Sequence, residues 1–319
     1  MSKAYLDSIR GALYGVAVGD ALGAPLEFRA AESIERQHGT VRDMIGGGWL
    51  DVKPGEITDD TQMTICVCEG ICERPDDPVP AIGKRFVEWH ESHPKDIGAT
   101  CSTAIRIAIE KMRQLGADEL DRKGWTAAAE AAHYKLRGQS AGNGSLMRTV
   151  YPGLFYADEK QRDLMAEDIS TMTHRDWMAS DACIIYSAII WNMTLQERPE
   201  TRRKAIRAEI TRLDHEGRYR IKELHSSLAT LQPTGFVVDS FKCALHCVLT
   251  TDNFEDAVVK AVNLGGDADT IGAITGGIAG ALYGYSAIPE RWVSALDGET
   301  SNRLERFAQA AYEYRNDHK

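Results

Sequence analysis

Positive charge is in short supply in this 319-residue chain: 37 lysines and arginines face 47 aspartates and glutamates, for a formal net charge of −10. That balance argues against a general nucleic-acid or anionic-membrane binder, because both gain affinity by neutralising phosphate with a basic face. A single anionic ligand remains compatible with it. Paired cysteine is lacking too. The seven cysteines, Cys66, Cys68, Cys72, Cys101, Cys183, Cys243 and Cys247, are odd in number and lie mostly inside apolar helical patterns. They read as reduced core thiols. Cys68/Cys72 and Cys243/Cys247 have helical i, i+4 spacing that zinc could use, but the pattern is not a zinc knuckle. The opening MSKAYLDSIRGALYG has charges at Lys3, Asp7 and Arg10 and no continuous apolar signal region, so a cytoplasmic location is expected. The long uncharged run Thr270 to Pro289 is rich in glycine and only moderately apolar, which fits a buried helix better than a membrane span. No repeat, low-complexity tract or Gly/Ser linker divides the chain, and one domain over residues 1–319 is expected.

Strand-like alternation is also scarce. Apolar residues recur instead at three and four positions, as in Ile9, Leu13, Val16; Met63, Val67, Ile71; and Ile82, Phe86, Trp89. Proline and glycine fall between these segments, for example in Arg74-Pro75-Asp76-Asp77-Pro78. The pattern predicts an all-α fold, a compact orthogonal multi-helix array. Gln196 to Lys222 is the most charged segment and reads as a solvated helix pair or as a docking surface for an acidic protein.

What the chain does have is glycine in register. Gly11, Gly15, Gly19 and Gly23 recur every fourth residue, and so do Gly272, Gly276, Gly280 and Gly284. Each glycine costs about 1 kcal/mol against alanine inside a helix, so two regular ladders imply unusually close backbone packing. If the ladders pack together, they fix the loops at their ends. Those loops are acidic: Glu56-Ile57-Thr58-Asp59-Asp60-Thr61 precedes one apolar helix and Gly265-Gly266-Asp267-Ala268-Asp269-Thr270 precedes the second ladder. One Asp or Thr in each is explained by capping, but adjacent acids exceed that need. Convergence would put Asp59, Asp60, Asp267 and Asp269 in one pocket with the Thr58 and Thr270 hydroxyls. Such a set of hard oxygens, joined by Glu27 just beyond the first ladder, suits two Mg²⁺ or Mn²⁺ ions and disfavours zinc.

The ordered motifs resemble the ADP-ribosylglycohydrolase family, and within it the bacterial dinitrogenase-reductase-activating branch. The matching pieces are Arg10 to Gly15, Gly19-Asp20-Ala21-Leu22-Gly23 with Glu27, Thr58 to Met63, Gly142-Asn143-Gly144-Ser145-Leu146-Met147-Arg148, Thr173-His174, and Gly265 to Gly272. The resemblance implies an all-α fold with a two-ion Mg²⁺ or Mn²⁺ centre that cleaves the bond between ADP-ribose and an acceptor. It implies one ion on Thr58, Asp59, Asp60 and Asp269, and another on Asp267, Asp269 and Thr270, with Asp269 bridging. Catalytic roles fall to Glu27, Asp60 and Asp269. Asn143, Gly144 and Ser145 resemble a phosphate loop, Arg148 can complement phosphate or close a structural salt bridge, and His174 resembles a histidine near ribose or phosphate. The expected substrate is an ADP-ribosylated protein, modified on arginine, or a small ADP-ribose conjugate.

Two departures bear on this. Ala268 stands between the aspartates where many relatives have threonine, and its side chain need not touch metal. Gln139 and Ser140 stand where some arginine-specific members carry an acid that contacts the guanidinium, which weakens the expectation of arginine specificity. Asp96 to Thr100 also looks familial, without an assigned chemistry. A non-catalytic ADP-ribose-binding or structural protein and a two-metal phosphohydrolase are the alternatives.

Overall fold

Helices form the regular structure of the computed structural model over its described residues (3–195, 199–220, 224 and 231–318), with three isolated β-bridges and no strand ladder among them. In chain order they are α1 (Lys3–Gly23), α2 (Ala31–His38), α3 (Asp59–Glu73), α4 (Val79–Glu91), α5 (Ala99–Leu115), α6 (Arg122–Lys135), α7 (Tyr151–Phe155) and α8 (Glu159–Thr171). They continue as α9 (Trp177–Leu195), α10 (Pro199–Leu213), α11 (Val237–Leu249), α12 (Phe254–Val262), α13 (Ala268–Tyr283), α14 (Glu290–Val293) and α15 (Gly298–Asp317). The all-α expectation holds.

The two ladders meet. α1 and α13 run antiparallel at the centre of the molecule, with Gly11, Gly15, Gly19 and Gly23 facing Gly280, Gly276, Gly272 and Ala268. A Cβ built on any of these α1 glycines would fall on a carbonyl oxygen of α13, and the three α13 glycines meet α1 in the same way. Only hydrogen side chains permit this approach. Gly284 differs from its expected place in the ladder: it ends α13 at φ +89°, a left-handed conformation that favours glycine, and Ala268 supplies the fourth rung. The other helices pack around the pair, and a continuous buried cluster extends from Tyr5 to Ala311.

Thr270 to Pro289 is accordingly a core element over α13, whose residues 268–282 are all buried. α9 is the one described helix long and apolar enough to cross a membrane, and its most apolar 18-residue stretch is 67% buried inside the fold. All seven cysteines are free. Cys68 lies in the main core whereas Cys243 and Cys247 lie in a separate small cluster with Ala261 and Ile271, so the two spaced pairs do not form one zinc site.

Among its described residues the charged segment forms one helix, α10, and the turn after it, in place of the expected solvated helix pair. Gln196, Glu197, Arg198, Ile221 and Lys222 lie outside the described residues. Within the rest, Arg202 donates to the Leu282 carbonyl at the end of α13 (2.8 Å), and Arg203 donates to the Thr251 carbonyl and the Tyr283 hydroxyl. Arg212 pairs with Glu209 at 2.7 Å; Arg218 pairs with Asp181 at 2.6 Å and lies over the Trp177 ring. These four arginines are engaged with carbonyls, carboxylates and rings of the chain itself.

Candidate active site

The antiparallel pairing of α1 with α13 brings the C-terminal end of the first ladder to the N-terminal end of the second, so that positions about 250 residues apart become neighbours. Three backbone ties complete the site. The loop after α1 joins the Gly265-Gly266 turn: Gly266 donates to the Arg29 carbonyl (2.8 Å), Phe28 donates to the Gly266 carbonyl (2.6 Å), and Ala30 bridges Gly265. Both glycines have positive φ, and a Cβ on either would strike a carbonyl oxygen, of Arg29 or of Pro233. Asp267 then donates its N–H to Pro233 (3.0 Å), and Asn143 donates its own to Gly235 (3.0 Å).

The acidic turn before α3 is held from α1 by a residue the sequence reading passed over. Asp20, fully buried, accepts from the Thr58 N–H (3.0 Å) and hydroxyl (2.7 Å) and from the Thr61 N–H (3.1 Å) and hydroxyl. This is an N-cap supplied from another helix. The capping explanation for Thr58 and Asp267 therefore falls away: neither side chain caps its own helix. The signal was present, since Asp20 is the one charged residue in the Gly11–Gly23 stretch of the ladder helix and must have buried partners there.

The result is an acidic floor. Carboxylate oxygens of Glu27, Asp267 and Asp269 all lie within 4.8 Å of one another. Thr270 donates its hydroxyl to Asp60 Oδ2 at 3.5 Å, while Asp60 Oδ1 is buried with no hydrogen-bond partner. Asp59 is also buried, and burial followed by the charge of Asp96 pushes its carboxyl well up. Asp60 and Asp269 are pushed well up by burial and then by neighbouring carboxylates, and Glu27 up to about 8, by burial above all. Two full charges at such separation repel by about 3 kcal/mol at an effective dielectric of about 20, so a fully ionised triad would cost about as much as the net stability of a domain. Cations remove that cost. An unpartnered buried carboxylate oxygen and an all-oxygen donor set from Thr58, Asp59, Asp60, Asp267, Asp269 and Thr270 fit hard divalent ions. Among the described residues, Glu27, Asp267 and Asp269 are the one set of three or more acidic, histidine or cysteine side chains whose ligand atoms all lie this close together.

Above this floor is a cavity of about 390 Å³, lined by Glu27, Asp59, Asp267, Asp269 and Thr270 on one side and Gly142, Asn143, Gly144 and His174 on the other. Asn143 donates its amide to Asp267 Oδ2 (2.6 Å), joining the two sides. His174 accepts at Nδ1 from the Thr173 hydroxyl (2.8 Å), which itself accepts from Arg148 (2.7 Å); the tautomer that satisfies this chain carries its N–H on Nε2, beside Gly142 and Gly144. Burial first, then Arg148, holds the ring neutral with a pKa of about 3.

Two expected ligand-binding side chains are placed elsewhere. The Ser145 hydroxyl turns into the core, against the Ser170 hydroxyl at 3.1 Å. Arg148 is fully buried, donates to the Ile169 carbonyl and Thr173, and lies over the Phe86 ring. Neither lines the cavity, so their side chains support the loop and the histidine instead of touching a ligand. Conversely, Asp96 and Trp49 do line it. Trp49 donates its indole N–H to Glu27 Oε2 (2.6 Å) and packs against Phe28 at the mouth. No periodicity or acidic pairing marked either residue.

Comparison with known proteins agrees with this geometry. A sequence model of the ADP-ribosylglycohydrolase family matches residues 1–319. The ADP-ribosyl-[dinitrogen reductase] glycohydrolase of Rhodospirillum rubrum is 33% identical over 307 residues, covering 95% of each chain. The ADP-ribosylarginine hydrolase Tri1 of Serratia proteamaculans is 31% identical over 91% of this chain and 75% of its own length. A solved structure titled "ADP-ribosylglycohydrolase-related protein complex" superposes with a TM-score of 0.79 at 29% identity, covering 98% of this chain and 100% of that one. Matched from end to end in both sequence and fold, the chain belongs to the ADP-ribosylglycohydrolase family and is a hydrolase of that type.

Proposed function

We propose that the enzyme hydrolyses the glycosidic bond between ADP-ribose and an arginine side chain on a protein, with Mg²⁺ or Mn²⁺ as its cofactor and two ions as the expected number. The observation that carries this reading is the joining of Glu27, Asp267 and Asp269 under a cavity whose opposite wall is a glycine loop with a neutral histidine donor. Thr58, Asp59, Asp60 and Asp269 would hold one ion and Asp267, Asp269 and Thr270 the other, as the family resemblance implies. When bound, the ions supply a template for the ribose diol and for water.

The remaining work belongs to the chain's own groups. Gly142 and Gly144 leave backbone open for close approach by the diphosphate, and His174 Nε2–H lies beside them as a donor. Glu27, held by the Trp49 indole N–H, would carry the proton transfer at the ribose. Asp96 supplies the acid a guanidinium needs: Gln139 is exposed and Ser140 is buried against His133 (2.6 Å), so neither serves. In the net reaction the water oxygen bonds to C1″, the C1″–nitrogen bond breaks, and a proton passes to the departing guanidine. One domain over residues 1–319 fits the continuous core, and free thiols throughout fit a reducing, cytoplasmic setting.

The test is product analysis by mass with arginine-linked, serine-linked and O-acetyl ADP-ribose, each with Mg²⁺, with Mn²⁺ and with chelator. Free ADP-ribose and unmodified arginine, formed fastest from the arginine linkage and only with divalent ion, are expected. Preference for another linkage would remove the arginine assignment. AMP or inorganic phosphate would indicate phosphoryl chemistry, and binding without turnover of any substrate would indicate a non-catalytic protein.

A further inference from the structure

A second, larger concavity of about 830 Å³ lies between α4, α5 and α6. Its walls carry Arg106, Lys111, Arg113 and Lys135, with the half-buried Ile107 and Ile109 between them. Two acids, Glu91 and Glu110, also line it, and Glu110 accepts from Gln114 at 2.8 Å. Cations therefore outnumber acids four to two in a chain whose overall charge is −10. Surface arginines elsewhere, such as Arg74, Arg85, Arg291 and Arg303, are paired with carboxylates. The side chains of Arg106, Lys111, Arg113 and Lys135 make no ion pair or hydrogen bond among the described residues.

This groove adjoins the catalytic cavity. Thr100 lines the cavity and Thr103 the groove, a separation along α5 of about 4.5 Å. Asp96 and His93, three residues apart in the loop before α5, divide in the same way. A segment leaving the cavity mouth thus enters a trough with an apolar floor and a cationic rim. The geometry points to the groove as the docking site for an acidic segment of the acceptor protein, lying beside its modified arginine, an inference that rests on the protein-arginine reading above. Unpaired cations near apolar floor residues complement a peptide with alternating acidic and apolar side chains. Along α5 the rim from Thr103 to Arg113 spans about 15 Å, which an extended peptide covers in about five residues.

The experiment uses the full chain with Mn²⁺ and two ADP-ribosyl-arginine peptides that differ in a six-residue tail five positions from the arginine, glutamate in one and serine in the other. Wild-type enzyme should show a KM about tenfold lower for the glutamate peptide at low salt, and the difference should shrink as salt rises. In Arg106→Glu/Lys111→Glu/Arg113→Glu that preference should vanish or invert, while turnover of free ADP-ribosyl-arginine stays within about twofold. The milder Arg106→Gln/Lys111→Gln/Arg113→Gln variant should lie between, with an unchanged melting temperature. Equal KM values for the two peptides in wild type, or a preference that survives charge reversal, would overturn the proposal. A fluorescein-labelled glutamate peptide without ADP-ribose, followed by anisotropy, reads the groove independently of catalysis. Binding lost on charge reversal supports docking even if no arginine linkage is cleaved, which would count against the function alone. An oligothymidylate that binds this groove more tightly than the glutamate peptide would overturn the assignment to protein.

Discussion

Replacing Asp269 with alanine is expected to lower kcat about 10³-fold or more while leaving the metal-free protein as stable as wild type or more so. The two halves of this result have one cause. Asp269 is 1% exposed, feels the charges of Asp60 and Asp267, and belongs to the carboxylate triad that includes Glu27. In the ion-bound enzyme it is the group assigned to both ions, so its loss should disturb ribose and water positioning together. In the metal-free protein the same carboxyl is buried among others, where ionising it or holding a proton on it at neutral pH costs free energy, and removing it relieves that cost. A structural role predicts the opposite pairing, with stability and activity falling together. Activity with Mg²⁺ or Mn²⁺, beside melting temperature in chelator, separates the two. Asp269→Asn keeps the shape and should reproduce the activity loss; near-normal turnover with metal still bound would contradict the bridging assignment.

Gly276→Leu is expected to abolish folding, and Gly276→Ala to cost at least about 3 kcal/mol. Gly276 and Gly15 face each other at the middle of the α1–α13 contact, and a Cβ on either falls on the carbonyl of the other. A clash with a flexible side chain could be relieved by a rotamer change. Here both partners are helix backbone, so the helices must separate or slide. Either movement opens the most intimate packing in the molecule and displaces the loops at its ends. Gly298→Ala is the control, since at the start of α15 a Cβ would meet nothing within 4 Å, and its melting temperature should stay within a few degrees of wild type. The Gly276→Ala protein, if it folds, should also bind divalent ions more weakly, because the ladder sets the register between Glu27 and Asp269. A melting temperature unchanged by Gly276→Ala would show that the approach of α1 to α13 is looser than described.

Much of this was legible in the sequence because the signals are local and costly. A glycine every fourth residue in an apolar helix has few explanations besides backbone contact, and adjacent acids at a helix start exceed what capping requires. Those two facts raise the expectation that the Thr58 to Asp60 and Asp267 to Thr270 turns converge, while the all-α architecture is read from the three-and-four spacing of apolar residues. What escaped depended on where a side chain points. Ser145 and Arg148 are residue types that suit phosphate, and only the packing of Ser170, Phe86 and Thr173 around them turns them inward. Asp96 and Trp49 reach the cavity from irregular segments without periodicity, so nothing in their spacing distinguished them from surface loop residues. Asp20 lay within a recognised motif, but its task of capping a helix 38 residues further on is a tertiary property. The arginines of α10 and the turn after it left two readings open for a related reason: charge density along the chain cannot tell a docking surface from cations already committed to carbonyls and carboxylates.

The central claim, that acidic turns some 200 residues apart hold shared divalent ions, is tested most directly by locating manganese through its anomalous scattering in a crystal grown with Mn²⁺. The account predicts density bounded by Asp59 and Asp60 on one side and Asp267 and Asp269 on the other. Manganese bound only elsewhere on the molecule, with these four carboxylates free of metal, would contradict it.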